Sequence, residues 1–175
     1  GRWSEPVDFT FYDASKPPML TNLSSVYGTL AGGETLTISG SNFAPTFGTL
    51  FCRFGPNENA PLVPADFESV RRVSCQVPPA TEPATVELFV TTNGIDFGGG
   101  ERYPLSYTYY DPRSPATVGR IEPRYGHHSV ATAVTIHGSN FAPTGADLQV
   151  RWGRLGVSQA TFVSSNVVLA KSILP

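Results

Sequence analysis

The sequence has little of what catalytic, nucleic-acid-binding or membrane-spanning proteins require. Charged residues make up 15% of its 175 residues, the formal charge is -2, and there are three histidines, two cysteines and one methionine. Such a dilute and balanced charge gives no basic surface for nucleic acid or for an anionic membrane. No apolar run approaches the roughly 18 residues of a membrane helix, and no signal-peptide pattern follows Gly1. We therefore expect no nucleic-acid partner and no direct membrane insertion by this segment.

Helical periodicity is also absent, and strand patterns take its place. Polar and apolar residues alternate over 34–39, 85–90 and 132–137, which is typical of half-buried strands. The 17 glycines and 16 prolines supply turns between such strands and oppose helices. About seven short strands per 98 residues predict an all-β protein built of immunoglobulin-like sandwiches.

The most informative feature is an internal repeat at a fixed offset of 98 residues. Gly-Ser-Asn-Phe-Ala-Pro-Thr occurs at 40–46 and again at 138–144, and Phe-Thr-Phe-Tyr-Asp at 9–13 returns as Tyr-Thr-Tyr-Tyr-Asp at 107–111. Solenoid units run about 20 to 50 residues, so this period suits whole domains in tandem. We expect Asn42 and Asn140 to have a structural role, as turn residues that bond their own backbone.

The repeated residues resemble a known family. The stretch from Pro115 to Phe141, with its Val-Thr-Ile-His-Gly-Ser-Asn-Phe strand and turn, and the later Asn93-Gly94 look like the IPT/TIG domain. The resemblance implies an early-set immunoglobulin-like sandwich. Inward-facing positions would then be Leu36, Ile38, Phe43, Val134, Ile136 and Phe141, together with Phe9, Phe11, Tyr107 and Tyr109 of closing strands. For these four aromatic residues a carbohydrate-stacking platform is the alternative.

The repeat also predicts the domain boundaries. Residues 1–13 match only the last strand of a preceding domain, 14–111 form a complete domain, and 112–175 form a domain without its final strands. We expect an open sandwich to be completed by neighbouring sequence, either in the same chain or by strand addition from another copy.

Cysteine usage suggests the compartment. Cys52 and Cys75 are both replaced in the second copy, by Val150 and Ala170, and paired loss predicts a disulfide; two free core thiols are the alternative. A disulfide would indicate an oxidising compartment. Asn22-Leu23-Ser24 is the only glycosylation sequon, so we expect a covalent glycan on Asn22.

No residue pattern predicts catalysis. His127 and His128 lie in a predicted turn without carboxylates at ligand spacing, and the first copy has Thr29 and Leu30 in their place. We predict no enzyme activity, cofactor or metal.

Two function classes remain. The first is a structural or adhesive extracellular protein, in which tandem sandwiches join each other or copies of the same protein, with a filament as one form. The second is the ligand-binding ectodomain of a cell-surface receptor, or an accessory module of a carbohydrate-active protein. Some transcription factors use the domain for dimerisation, and the low basicity of this chain opposes that role.

Overall fold

The computed structural model describes residues 4–7, 9, 11–13, 15–46, 48–100 and 104–174. Within them the regular structure consists of strands and one 3-10 turn at Gly145–Asp147. The strands are β1 (Met19–Leu23), β2 (Tyr27–Thr29), β3 (Thr35–Ser41), β4 (Phe51–Phe54), β5 (Leu62–Ser69), β6 (Arg72–Gln76), β7 (Ala84–Thr91), β8 (Phe97–Gly98), β9 (Ser106–Tyr110), β10 (Thr117–Glu122), β11 (Ala133–Ser139), β12 (Gln149–Arg151), β13 (Val157–Ser164) and β14 (Val167–Lys171). The predicted all-β, immunoglobulin-like class is confirmed.

The chain forms two compact units. Unit 1 comprises Gly1–Ser24, Thr35–Val77 and Glu87–Leu105, and unit 2 comprises Ser25–Glu34, Pro78–Val86 and Ser106–Pro175. Unit 2 therefore contains the second repeat together with three segments of the first, which include β2 and β9.

Unit 1 is built on strands in the order β1-β3-β6-β5-β4-β7, with β8 paired to β7. Strand β5 has two partners in succession, because its beginning pairs with β4 and its end with β6. The side chains that alternate inward from these strands are buried, including Leu36, Ile38 and Phe43 as predicted. They form the apolar core whose burial stabilises the unit.

Unit 2 contains a short parallel pair and a five-stranded sheet. Strand β2 pairs with β9, and the sheet runs β10-β11-β14-β13-β12. The predicted inward positions Val134, Ile136 and Phe141 form its core with Ala160, Val168 and Ala170. Tyr107 and Tyr109 on β9 are also buried, as predicted, with exposed fractions of 0% and 3%.

The two repeats share strand register as well as sequence. Leu20 pairs with Gly40 and Val118 with Gly138, and both strand pairs shift register immediately afterwards. Strand β6 and strand β14 then occupy matching places, since Leu36 pairs with Cys75 and Val134 with Ala170. Over these strands the register and its shifts therefore recur at the same spacing of 98 residues as the sequence.

The predicted closing strand at Val7 to Asp13 is not formed among the described residues of that segment. Val7, Phe9 and Phe11 are exposed to 90%, 79% and 84%, so the inward-facing positions expected at Phe9 and Phe11 are not buried in this structure. Among the described residues no strand pairs with this segment, and a single extended segment without a partner does not form sheet structure.

Candidate functional site: the clasped repeat junction

The repeated Gly-Ser-Asn-Phe sequence forms a turn that only certain residues can make. Asn42 and Asn140 have φ angles of 62° and 60°, in the left-handed region that asparagine tolerates better than most residues. A Cβ at Gly40 would overlap the carbonyl oxygen of Met19, and one at Gly138 would overlap that of Thr117. Glycine therefore allows two strands to approach closely, and asparagine turns the chain directly afterwards.

The Asn140 side chain then binds the segment that links the two repeats. Its Oδ1 accepts a hydrogen bond of 2.7 Å from the Asp111 backbone N–H, and its Nδ2 donates to the Asp111 carbonyl at 2.9 Å and also to the Ser114 carbonyl. We call this set of contacts the second clasp. It fixes the residues that follow β9 against the turn that follows β11.

The same contacts occur 98 residues earlier. Asn42 Oδ1 accepts a hydrogen bond of 2.8 Å from the Asp13 N–H, and Nδ2 donates to the carbonyls of Asp13 and Lys16 at 2.9 and 2.7 Å. We call these contacts the first clasp. The predicted partners of the two asparagines were wrong: each binds backbone 26 to 29 residues earlier, because the left-handed turn aims its amide at the incoming chain.

Each clasp contains an aspartate that organises the linker turn. Asp13 Oδ1 accepts hydrogen bonds from the N–H and hydroxyl of Ser15 at 3.0 and 2.5 Å, and Asp111 accepts from the Arg113 N–H and the Ser114 hydroxyl at 2.9 and 2.6 Å. Hydrogen bonding from Ser15 and Lys16 lowers the pKa of Asp13 to about 2. Bonds from Ser114 and Arg113 likewise lower the pKa of Asp111.

A second contact of unit 2 joins the repeats through Thr85. The Ser165 N–H donates to the Thr85 Oγ1 at 3.1 Å, and the Thr85 and Thr108 hydroxyls lie 3.1 Å apart. Ser165 is at the tip of the hairpin between β13 and β14, and only 1% of its surface is exposed. The junction is thus held at the linker and at this hairpin tip.

Closing strand β9 is fixed in unit 2 by hydrogen bonds from its tyrosines. The Tyr107 hydroxyl donates to the Glu34 carboxylate, and that of Tyr109 donates to the Pro78 carbonyl at 2.9 Å. Burial, with the Glu34 hydrogen bond second, raises the pKa of Tyr107 well above its usual range. Buried phenols with partners of this kind stabilise a strand position.

The predicted disulfide between Cys52 and Cys75 is not present. Both cysteines are free and buried, and they are not at disulfide distance. They lie on strands β4 and β6, which flank β5, and pair there with Val63 and Ala65. Burial raises the pKa of the Cys52 thiol well above its usual value, which is typical of an unreactive core cysteine.

The sequon asparagine is accessible. Asn22 lies on β1, an edge strand of its sheet, and its side chain is exposed. The hydroxyl of Ser24 accepts a hydrogen bond of 3.0 Å from the Thr37 N–H. Glycosylation of Asn22 stays a prediction.

The described residues contain no group of three or more histidine, cysteine, aspartate or glutamate side chains that could hold a metal ion. The His127 and His128 ring centroids lie 4.7 Å apart with the ring planes tilted by 31°, and His127 Nδ1 accepts a hydrogen bond from the Ser129 N–H. The part of the chain that the structure describes also has no helix with the length and apolar character needed to cross a membrane.

Sequence reasoning missed Thr85, Ser165 and the role of the two aspartates. The available signal for the aspartates was their identity at the repeat offset, because Asp13 and Asn42 recur together as Asp111 and Asn140. Thr85 and Ser165 have no such signal, since their contact depends on how the strands are placed in unit 2.

The fold, the repeated turn and its buried phenylalanines define an immunoglobulin-like module. The model of the IPT/TIG domain matches residues 18–109. The chain belongs to the IPT/TIG domain family.

Two curated mouse proteins are similar to it. Plexin-B2 is 29% identical over 135 residues, which cover 77% of this chain and 7% of that protein. Fibrocystin-L is 32% identical over 133 residues, which cover 76% of this chain and 3% of that protein. The chain thus spans only a small part of each relative. A structure of the full extracellular region of plexin A4 is similar at 19% identity with a TM-score of 0.41, over 90% of this chain and 13% of that one.

Proposed function

We propose that this chain is a segment of an extracellular or cell-surface protein in which IPT/TIG sandwiches follow one another in tandem and act as a structural spacer. The observation that carries the proposal is the double fixation of the junction, by the second clasp and by the Thr85 contact with Ser165. A freely hinged linker would need neither.

The tandem arrangement rests on the repeat. Residues 112–175 reproduce the strand register and register shifts of residues 14–111, and Asn140 binds Asp111 as Asn42 binds Asp13. We propose that they form a second IPT/TIG copy, with 1–13 the end of a preceding one. Neighbouring sandwiches, in the same chain or in a filament of copies, are then its partners.

The extracellular location is supported by the relatives and by Asn22. Plexin-B2 and fibrocystin-L support a receptor-like extracellular module, and the exposed sequon provides a place for glycan. The free thiols of Cys52 and Cys75 are compatible with either compartment because both are buried. Glycopeptide mass spectrometry of native material is expected to find Asn22 modified, and a dominant unmodified peptide would contradict this.

The alternative is a ligand-binding ectodomain or an accessory module of a carbohydrate-active protein. Its support is the similarity to Plexin-B2 and fibrocystin-L. In either case we expect no enzymatic activity, cofactor or metal.

Electron microscopy of native material, with intact-mass measurement, tests the spacer proposal. We expect a row of beads at constant spacing and with a narrow distribution of bending angles. A row with freely variable angles, or a single compact particle, would contradict it.

A further inference from the structure

The first repeat carries a surface that matches the occupied junction of the second repeat. In the second repeat this surface consists of the clasp and the hairpin tip at Ser165, where Thr85 makes its contact. In the first repeat the corresponding parts are the first clasp and the hairpin tip at Val70, between β5 and β6.

The backbone of the two hairpin tips is held in the same way. Phe141 and Gly138 donate to the carbonyls of Ser165 and Asn166 at 3.0 and 2.9 Å, while Phe43 and Gly40 donate to those of Val70 and Arg71 at 3.2 and 2.9 Å. Each tip is therefore anchored in the same way to the repeated Gly-Ser-Asn-Phe turn. The side chains at the tips differ, but the Ser165 group that contacts Thr85 is a backbone N–H, which Val70 also has.

The two tips differ in exposure. Ser165 is 1% exposed where Thr85 covers it, whereas Val70 is 37% exposed. The first clasp is nevertheless fully formed. The first repeat therefore presents, already formed, the same kind of surface that is covered in the second repeat.

The residues just before the first clasp indicate which kind of partner would cover this surface. Phe9 and Phe11 are in T-shaped contact at 4.9 Å, as Tyr107 and Tyr109 are at 5.2 Å. The tyrosines are buried and the phenylalanines exposed. An exposed aromatic pair that leads into a formed clasp is an apolar surface that a further sandwich could cover.

We propose, on the basis of the proposed spacer function, that the first clasp and the Ser69–Arg71 hairpin tip form a second junction surface. Its occupant is a further IPT/TIG sandwich of the same polypeptide, whose closing strand contains Phe9 and Phe11 and runs into Asp13. A hydroxyl in the place of Thr85 accepts the Val70 N–H, and the junction repeats along the chain.

The test adds the occupant and measures amide hydrogen exchange by NMR. Residues 14–111 are fused in front of residue 14, in place of 1–13, so that Asp111 of the added copy replaces Asp13. In the unextended chain we expect slow exchange at Ser165 and fast exchange at Val70. In the fused chain we expect exchange at Val70 to slow at least about tenfold, and Thr85→Val in the added copy to restore it.

Each outcome separates the two proposals. Fast exchange at Ser165 in the unextended chain contradicts the fixed junction of the proposed function. Slow exchange at Ser165 with unchanged exchange at Val70 in the fused chain overturns only the second junction surface. Protection that survives Thr85→Val overturns the assigned contact, and concentration-dependent protection of Val70 in the unextended chain assigns the surface to a second copy instead.

A second fused chain tests the same contact in case the side chains of Val70 and Arg71 hinder it. It carries Val70→Ser and Arg71→Asn, which copy the residues of the occupied tip in the second repeat. If neither fused chain folds, or neither protects the amide at position 70, the proposal is overturned.

Discussion

The side chain of Asn140 holds the backbone of Asp111 from both sides, with Oδ1 accepting its N–H at 2.7 Å and Nδ2 donating to its carbonyl at 2.9 Å. One asparagine thereby joins the end of one repeat to the turn that follows β11 in the next. The contact recurs between Asn42 and Asp13.

Asn140→Ala is expected to lower the free energy of unfolding by about 2.5 to 5.5 kcal/mol. It removes three hydrogen bonds, each contributing about 0.5 to 1.5 kcal/mol, and places alanine at a φ of 60°, which costs about 1 kcal/mol. Asn140→Gly is the control, because it loses the bonds without the backbone strain. Chemical denaturation should rank the loss for alanine above that for glycine; equal stability of all three proteins would contradict the clasp.

Gly138→Ala is expected to prevent folding or to destabilise the protein by more than about 3 kcal/mol, because the new Cβ would overlap the Thr117 carbonyl. Gly119→Ala is the matched control on the adjacent strand. A Cβ there would lie 3.6 Å from the His137 carbonyl, an ordinary contact. Thermal unfolding of both variants measures the two losses of stability. Similar losses at the two positions would contradict the close approach of Gly138 to the Thr117 carbonyl.

Many strands and buried positions can be predicted from the sequence, but the contacts at the repeat junction cannot. Alternation at 34–39 and 132–137 predicts β3 and β11 within a few residues, and the buried positions Ile38 and Ile136 follow from it. The disulfide prediction was wrong because joint replacement of Cys52 and Cys75 in the second repeat shows only that the two residues share an environment. The asparagine contacts span 26 to 29 residues, so local turn statistics cannot reveal them.

Cys52 and Cys75 are expected to be free and unreactive in the native protein. A thiol-specific chromogenic reagent should detect neither before unfolding and both afterwards, because burial opposes thiolate formation. Cys52→Val and Cys75→Ala copy the second repeat and should each change stability by less than about 1.5 kcal/mol. Fewer than two reactive thiols in unfolded, unreduced protein would contradict the free state.

The two clasp aspartates should titrate below their usual range. A carboxyl whose folded pKa is lowered contributes stability above its unfolded pKa near 3.8, and for Asp13 that contribution is lost as the pH falls through about 2. NMR titration should find the pKa of Asp13 near 2 and that of Asp111 also lowered. Asp13→Asn removes the first titration and serves as the assignment control; ordinary values at both sites would be the contrary result.

The fixed junction is tested most directly by residual dipolar couplings of the weakly aligned chain. Amides of β2 and β9, from the first repeat, are compared with amides of β10 to β14 from the second, all within unit 2. A fixed junction predicts that one alignment tensor fits both sets, and that Asn140→Ala combined with Thr85→Val separates them. Two distinct tensors in the unmodified chain would show a free hinge and contradict the account.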